Sequence, residues 1–104
     1  MNVVFLDVKT KTYLLSLEQS SSNKAFRLIK LLVTFGNMIG MPYSKKLLSN
    51  LYELRVRGQQ EVRIFYFFYQ NQAVIVHAFI KKSQKTPQKE IEIALARISV
   101  LTNV

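Results

Sequence analysis

The chain of 104 residues is long enough for one compact domain, and it carries 15 lysines and arginines against 6 acidic residues, a net charge of +9. Apolar residues make up 49% of it, too many for a disordered basic tail, so we expect a folded protein whose partner is a polyanion or an acidic protein. The lack of cysteine excludes disulfides and cysteine nucleophiles, and a single histidine with scattered acids makes no credible metal cluster, so no metal or other cofactor is expected.

The first half of the chain predicts a short strand followed by two helices. Residues 3–6 are predicted as the strand, and residues 9–19 carry apolar side chains at helical spacing. The polar run 20–23 offers several N-caps for the second helix, which Gly36 or Asn37 is expected to end. The apolar stripe predicted for this helix consists of Phe26, Ile29, Leu32 and Val33.

The second half predicts three antiparallel strands and a last helix. The strands are the segments 51–57, 62–69 and 73–80, of which the third is nearly all apolar, as at the centre of a sheet. Thr86 and Pro87 are expected to open the final helix as its N-cap and first residue. The predicted apolar stripe of that helix consists of Ile91, Ala94, Leu95, Ile98 and Leu101. This order predicts an α+β fold, with helices packed on a small twisted antiparallel or mixed sheet.

The positive charge is concentrated in the middle of the chain. Residues 45–89 have a balance of +7, against +3 for residues 1–44 and −1 for residues 90–104. Side-chain alternation predicts that one row lies on the open face of the sheet, away from the helices: Arg55, Arg57, Arg63, His77, Phe79 and Lys81. Such a face suits phosphate contacts and base stacking. A solvated face, with Glu53 and Glu61 as cross-strand partners of the arginines, explains the same pattern equally well.

Three motifs of the second half together resemble a known family. They are LYELR at 51–55, RIFY at 63–66 and FIKKSQKTP at 79–87. In this order and spacing they resemble the phage-derived Gp49-like branch of the HigB toxins, which belongs to the RelE/ParE superfamily of type II toxin–antitoxin systems. The resemblance covers roughly residues 42–98, and the N-terminal half is similar in layout only. The resemblance implies a single toxin domain over residues 1–104, a small sheet flanked by two N-terminal helices and a C-terminal helix.

The resemblance also implies an activity and its partners. The expected activity is that of an mRNA interferase, a metal-independent endoribonuclease that cleaves translated mRNA in the ribosomal A site and so inhibits translation. Cleavage of RNA by its own 2′-hydroxyl needs in-line geometry, proton transfer and cations that stabilise the developing charge. Besides the ribosome and mRNA, the implied partner is a cognate antitoxin, commonly a helix-turn-helix DNA-binding protein.

The resemblance assigns residues to this chemistry. Arg63 matches the phosphate-stabilising arginine of the family, Arg55 matches a basic position on the preceding strand, and Lys81 and Lys82 match a basic pair that contacts phosphate or assists proton transfer. His77 is a candidate general base because imidazole titrates near neutrality, although its apolar neighbours fit a structural histidine better. Some relatives carry a tyrosine or histidine near the C-terminus, and this chain has neither after position 77. Further RNA contacts are expected from Arg57, Lys45, Lys46, Lys85 and Phe65.

Two other functions remain open at this point. A ParE-type toxin has the same fold but inhibits DNA gyrase, and a gyrase inhibitor would not need the phosphate-stabilising Arg63, Lys81 and Lys82. A non-catalytic basic module would bind only RNA or the antitoxin. No stretch is long and apolar enough to span a bilayer and the N-terminus does not resemble a secretion signal, so we expect a cytoplasmic protein without a membrane partner.

Overall fold

A five-stranded sheet with helices on both faces forms the structure, a computed structural model that describes residues 1–102. In chain order the elements are β1 (Asn2–Phe5), α1 (Val8–Ser16), α2 (Gln19–Phe35), β2 (Ser44–Leu48), β3 (Leu51–Val56), β4 (Val62–Tyr69), β5 (Gln72–Ile80) and α3 (Gln88–Thr102). The strand order is β1-β5-β4-β3-β2, with β1 parallel to β5 and the other pairs antiparallel. The α+β fold predicted from the sequence, with two N-terminal helices and one C-terminal helix around a mixed sheet, is confirmed. In residues 1–102 no helix has the length and hydropathy to cross a membrane.

One strand was missed by the sequence prediction. β2 is short and polar, pairs only with β3, and contains an irregularity between Lys46 and Leu48. An edge strand with exposed lysines presents little apolar alternation, so its pattern resembles that of a loop. The antiparallel part of the sheet therefore has four strands rather than three, and β4, not β5, lies in the middle.

The helices α1 and α2 pack on one face of the sheet. Asp7 caps α1 by accepting a hydrogen bond from the amide of Thr10 at 3.0 Å. The prediction of an N-cap within residues 20–23 was wrong, because Glu18 accepts from the amide of Ser20 at 2.8 Å and α2 begins at Gln19. The buried stripe of α2 is centred on Ala25, Leu28 and Leu32, and the predicted member Val33 is 41% exposed.

The prediction that the other face of the sheet is open was wrong, because α3 covers most of it. A second apolar cluster lies between α3 and the sheet, formed by Leu51, Phe65, Phe67, Val74, Val76, Phe79 and Ala94. Ile91, Ile98 and Leu101 pack against this cluster, as predicted, whereas Leu95 is 41% exposed. Helix α3 leaves one end of this face uncovered, near the start of β4 and the end of β5, and a cleft lies there.

An irregularity in β5 changes which side chains share a face. Phe65 pairs with His77 but Tyr66 pairs with Ile75, so Val76 is an extra residue in the strand. Val76 and His77 consequently both point to the α3 side, which simple alternation cannot predict. In the turn that follows β4, Gln70 and Asn71 have φ of 51° and 61°, the left-handed conformation that a tight two-residue hairpin requires.

Candidate functional site

A polar cleft of about 540 Å³ lies where β3, β4 and the segment after β5 meet. Its lining residues are Arg55, Arg57, Glu61, Arg63, Lys81, Lys82, Ser83 and Gln84. Five of these side chains are cationic and one is a carboxylate. The strand register explains the convergence, because Arg55 is paired with Arg63 across β3 and β4, and Lys81 follows directly after β5. The structure thus brings together five of the residues predicted for the site.

Arg63 lies at the floor of the cleft as a buried cation. Its side chain is 2% exposed, donates to the carbonyl of Val62 at 3.1 Å and donates to Glu61 Oε1 at 3.3 Å. Its Nε lies 3.9 Å from Glu53 Oε1, a distance that gives charge compensation without a hydrogen bond. Because the side chain is buried, solvent screens the charge of Arg63 only weakly, while Glu61 and Glu53 compensate part of it.

Glu53 is the buried counter-charge that both strand arginines share. It is 2% exposed, and one carboxylate oxygen lies 3.7 Å from the Nε of Arg55 while the other lies near Arg63. The hydroxyl of Thr86, in the segment before α3, donates to Glu53 at 3.3 Å. Glu53 therefore lies between the two arginines and the segment before α3, and its charge compensates both guanidinium groups. From the sequence, Glu53 was predicted only as a cross-strand partner and Thr86 only as a helix cap.

The rim of the cleft is held by Glu61. Its Oε1 lies 3.3 Å from an amino group of Arg57 and 3.3 Å from one of Arg63. Partial burial raises the pKa of Glu61, but the hydrogen bond and charge of Arg63, the Gly58 amide and Arg57 outweigh it, so the pKa lies below its usual value. An anionic Glu61 at neutral pH orders the two arginines and is a weak proton acceptor.

Lys81 is the cleft residue best suited to move a proton. Its backbone amide donates to the carbonyl of Glu61 at 2.6 Å, which anchors the chain directly after β5. Partial burial, and then the charge of nearby Arg63, hold the pKa of Lys81 below that of an ordinary lysine. At a given pH Lys81 is therefore more readily a free amine than an ordinary lysine is, while Lys82 beside it is exposed to solvent.

His77 is not part of the cleft. Its Nε2 lies 2.7 Å from Glu90 Oε1, and its Nδ1 lies 3.2 Å from an Arg97 guanidinium nitrogen, which can only donate. His77 therefore accepts at Nδ1 and donates at Nε2, so both ring nitrogens are already engaged with α3. Its predicted use as a general base is corrected to a structural one in this fold, since it neither lines the cleft nor has a free ring nitrogen.

The other residues predicted to bind RNA are spread around the cleft. Phe65 is fully buried between His77 and Phe79, so it has no surface for stacking on a base, and its predicted RNA contact is corrected to a core position. Lys45 is paired with Glu53 and so lies on the cleft side of the sheet, whereas Lys46, one residue along, points to the other side. Lys85 is exposed beyond the cleft lining.

The arrangement matches the needs of metal-free phosphodiester cleavage. It combines fixed cations, a carboxylate that orders them and an amine whose pKa is lowered. Within residues 1–102 no group of three histidine, aspartate or glutamate side chains is placed to hold a metal ion.

Comparison with known proteins adds a family and a fold. Residues 12–99 match the family model described as "Phage derived protein Gp49-like". One similar solved structure is a chain of the heterotetrameric YoeB–YefM toxin–antitoxin complex from Staphylococcus aureus, with a TM-score of 0.55 and 20% identity. The match covers 80% of the present chain and 97% of that chain, and at this identity it shows a common fold. No curated protein sequence matches the chain.

Proposed function

The chain belongs to the family of phage-derived Gp49-like proteins, and from this premise we propose that it is the toxin of a toxin–antitoxin system. Its activity is that of a HigB-type mRNA interferase, an endoribonuclease that cuts translated mRNA on the ribosome. Its partners are the ribosome, mRNA and an antitoxin that silences it. The fold shared with a chain of a toxin–antitoxin complex supports the first statement. The cleft supports the second.

The observation that carries the nuclease proposal is the charge of the cleft. Five cations face about 540 Å³ of space with one carboxylate among them, and one of the cations is buried at the floor. Fixed cations in a poorly screened site stabilise the negative charge that builds on a phosphate during attack by the 2′-hydroxyl. Lys81 supplies proton transfer, and Lys82 contacts the phosphate from the exposed rim.

Growth and mRNA integrity after induction test this function. We expect the wild-type chain to stop growth and to cut a translated reporter mRNA at defined positions, seen by primer extension. Lys82→Gln should reduce cutting about tenfold or more, because one phosphate contact is lost while the exposed position leaves folding intact. Lys89→Gln is the matched control, since it removes an exposed lysine outside the cleft.

Other results would contradict the proposal in distinguishable ways. Intact mRNA with accumulating DNA breaks would select a ParE-type gyrase inhibitor. Toxicity that is equal in wild type, Lys82→Gln and Lys89→Gln would mean that the cleft is not the site. Arg63→Ala is a poorer first variant, because it leaves Glu53 buried with only Arg55 to compensate its charge.

A further inference from the structure

The cationic cleft has an extension on α2 that the proposed function does not use. Helix α2 contains Lys24, Arg27 and Lys30 and no acidic residue between Gln19 and Phe35. The spacing of three residues places these cations along one side of the helix. In the part of the chain that the structure describes, none of the three has an ion pair, so no acidic side chain neutralises their charge.

A groove of about 370 Å³ connects this side of α2 to the cleft. It runs between α2, the segment before β2 and the end of β3, and both Arg55 and Arg57 line it as well as the cleft. Lys24 donates to the backbone carbonyl of Arg57 at 3.2 Å, which holds its ammonium group at the junction. Arg27 lines the groove and also the next depression along α2, which Lys30 borders. The cations therefore follow one another without a break from the cleft to the outer side of α2.

The groove also offers an aromatic surface. Tyr43 lines it and is 45% exposed, beside the apolar side chains of Leu28, Leu31 and Val56. Cations along a backbone path together with an exposed aromatic ring are the combination that binds single-stranded nucleic acid, because every base has a flat apolar face. An acidic protein segment would be attracted by the same charges. The continuity with the phosphate-binding cleft favours RNA.

We propose that the RNA strand held in the cleft continues through this groove onto α2. Lys24, Arg27 and Lys30 bind successive phosphates outside the cleft, and Tyr43 stacks on a base. This proposal rests on the proposed function, since it assumes that the cleft binds RNA. It adds a second, sequence-independent contact region that makes affinity depend on the length of the RNA.

The test compares a short and a long oligonucleotide that cannot be cleaved. Fluorescent 2′-O-methyl RNAs of four and fifteen nucleotides are titrated with the full chain at several KCl concentrations. For Lys24→Gln/Arg27→Gln/Lys30→Gln we expect at least a tenfold loss of affinity for the long RNA and less than a twofold change for the short one. The slope of log K against log[KCl] for the long RNA should fall by about 2, at about 0.7 per phosphate contact with a single strand.

Matched variants separate this effect from a general loss of charge. Lys9→Gln/Lys11→Gln/Lys89→Gln removes the same charge at exposed positions outside the groove, and both affinities should stay at the wild-type value. Tyr43→Ala should weaken binding of the long RNA about fivefold or more, whereas Tyr43→Phe, which keeps the ring, should not. Thermal unfolding of each variant verifies that it is folded.

Two results would overturn the proposal. Wild-type affinity of the α2 variant for the long RNA would assign the surface to an acidic protein partner instead. Equal losses for both RNAs would mean that α2 acts on the cleft rather than on a further stretch of RNA. Failure of the proposed function is seen in a separate measurement. If Lys82→Gln binds the short RNA with wild-type affinity, the cleft does not bind RNA.

Discussion

Arg63 and Glu53 are each 2% exposed. Removing a single charge from water costs several kcal/mol of free energy, and the opposite charge of the other residue offsets part of that cost. The pair explains why a charged residue stands in the most buried strand of the sheet. The pKa of Lys81 is lowered first by its partial burial and then by the charge of Arg63, which Glu53 partly offsets. At the residue scale Arg63 therefore links the groups of the site, because it lies beside Glu53 and Glu61 and its charge acts on Lys81.

A first prediction at this scale concerns the role of Lys81 in proton transfer. Lys81→Arg keeps the positive charge but introduces a guanidinium that does not deprotonate, so cleavage should fall about 100-fold or more with little change in RNA affinity. If the free amine is the active form, the wild-type rate rises with pH until Lys81 is deprotonated. The lowered pKa places that rise below the pH expected for an ordinary lysine.

The measurement is the single-turnover cleavage rate on ribosomes as a function of pH. In Lys81→Arg the rise with pH should disappear, whereas Lys82→Arg should retain it because Lys82 is exposed and is assigned only phosphate contact. A pH profile that is the same in wild type and Lys81→Arg would remove Lys81 from the proton transfer.

At the scale of the element, helix α3 is the part that closes one face of the sheet. Its Arg97 donates to the carbonyl of Val76 at 2.7 Å and contacts His77, while Glu90 contacts the other side of the His77 ring. These contacts satisfy the backbone of the extra residue in β5 and hold the end of the strand from which Lys81 follows. The irregular strand and the helix are thus stabilised together.

This pairing predicts a stability effect of Arg97. Arg97→Met keeps the apolar stem of the side chain but leaves the Val76 carbonyl without its donor, which should cost about 1–3 kcal/mol of the free energy of unfolding. Lys89→Met, an exposed position on the same helix, should change it by less than about 0.5 kcal/mol. Urea unfolding followed by circular dichroism measures the free energy of unfolding of both variants. Equal stability of the two would contradict a stabilising role for the hydrogen bond from Arg97 to the Val76 carbonyl.

At the scale of the whole molecule, the charge of +9 opposes folding while it favours a polyanionic partner. The cations are not distributed evenly, because five of them converge at the cleft and three more follow along α2. The few acids near the cleft, Glu53 and Glu61, are both engaged by arginines. The unbound protein therefore has a surplus of repulsion that an anionic ligand relieves.

The repulsion between the excess positive charges predicts that salt stabilises the unbound protein. Raising NaCl from about 20 mM to 300 mM shortens the screening length well below the size of the molecule, so the midpoint of thermal unfolding should rise. A gain of 1 kcal/mol corresponds to about 4–8 °C in a domain of this size. RNA affinity should fall over the same range, and a midpoint that falls with salt would show that the ion pairs outweigh the repulsion.

How much the sequence could predict differs between these scales. Strand β3 alternates clearly and β4 and β5 are recognisable as apolar runs, so these strands could be predicted, whereas the register that places Arg55 beside Arg63 is given by the structure. The edge strand β2 and the cap at Glu18 were missed because their patterns are weak and depend on a neighbouring element for stability. For the site, the motifs pointed to four of the cleft cations and the alternation of β3 added Arg57. They could not show that Phe65 and His77 are covered by α3, since burial depends on an element far along the chain.

Composition, periodicity and motif spacing are local properties of the chain. The class of fold, the concentration of positive charge between residues 45 and 89 and the family resemblance therefore follow from the sequence. Tertiary structure alone decided which cations share a cavity, which are buried against Glu53 and which continue along α2. The physical reason is that electrostatic strength depends on distance and on the exclusion of water, and both are set only when α2, α3 and the sheet are packed together.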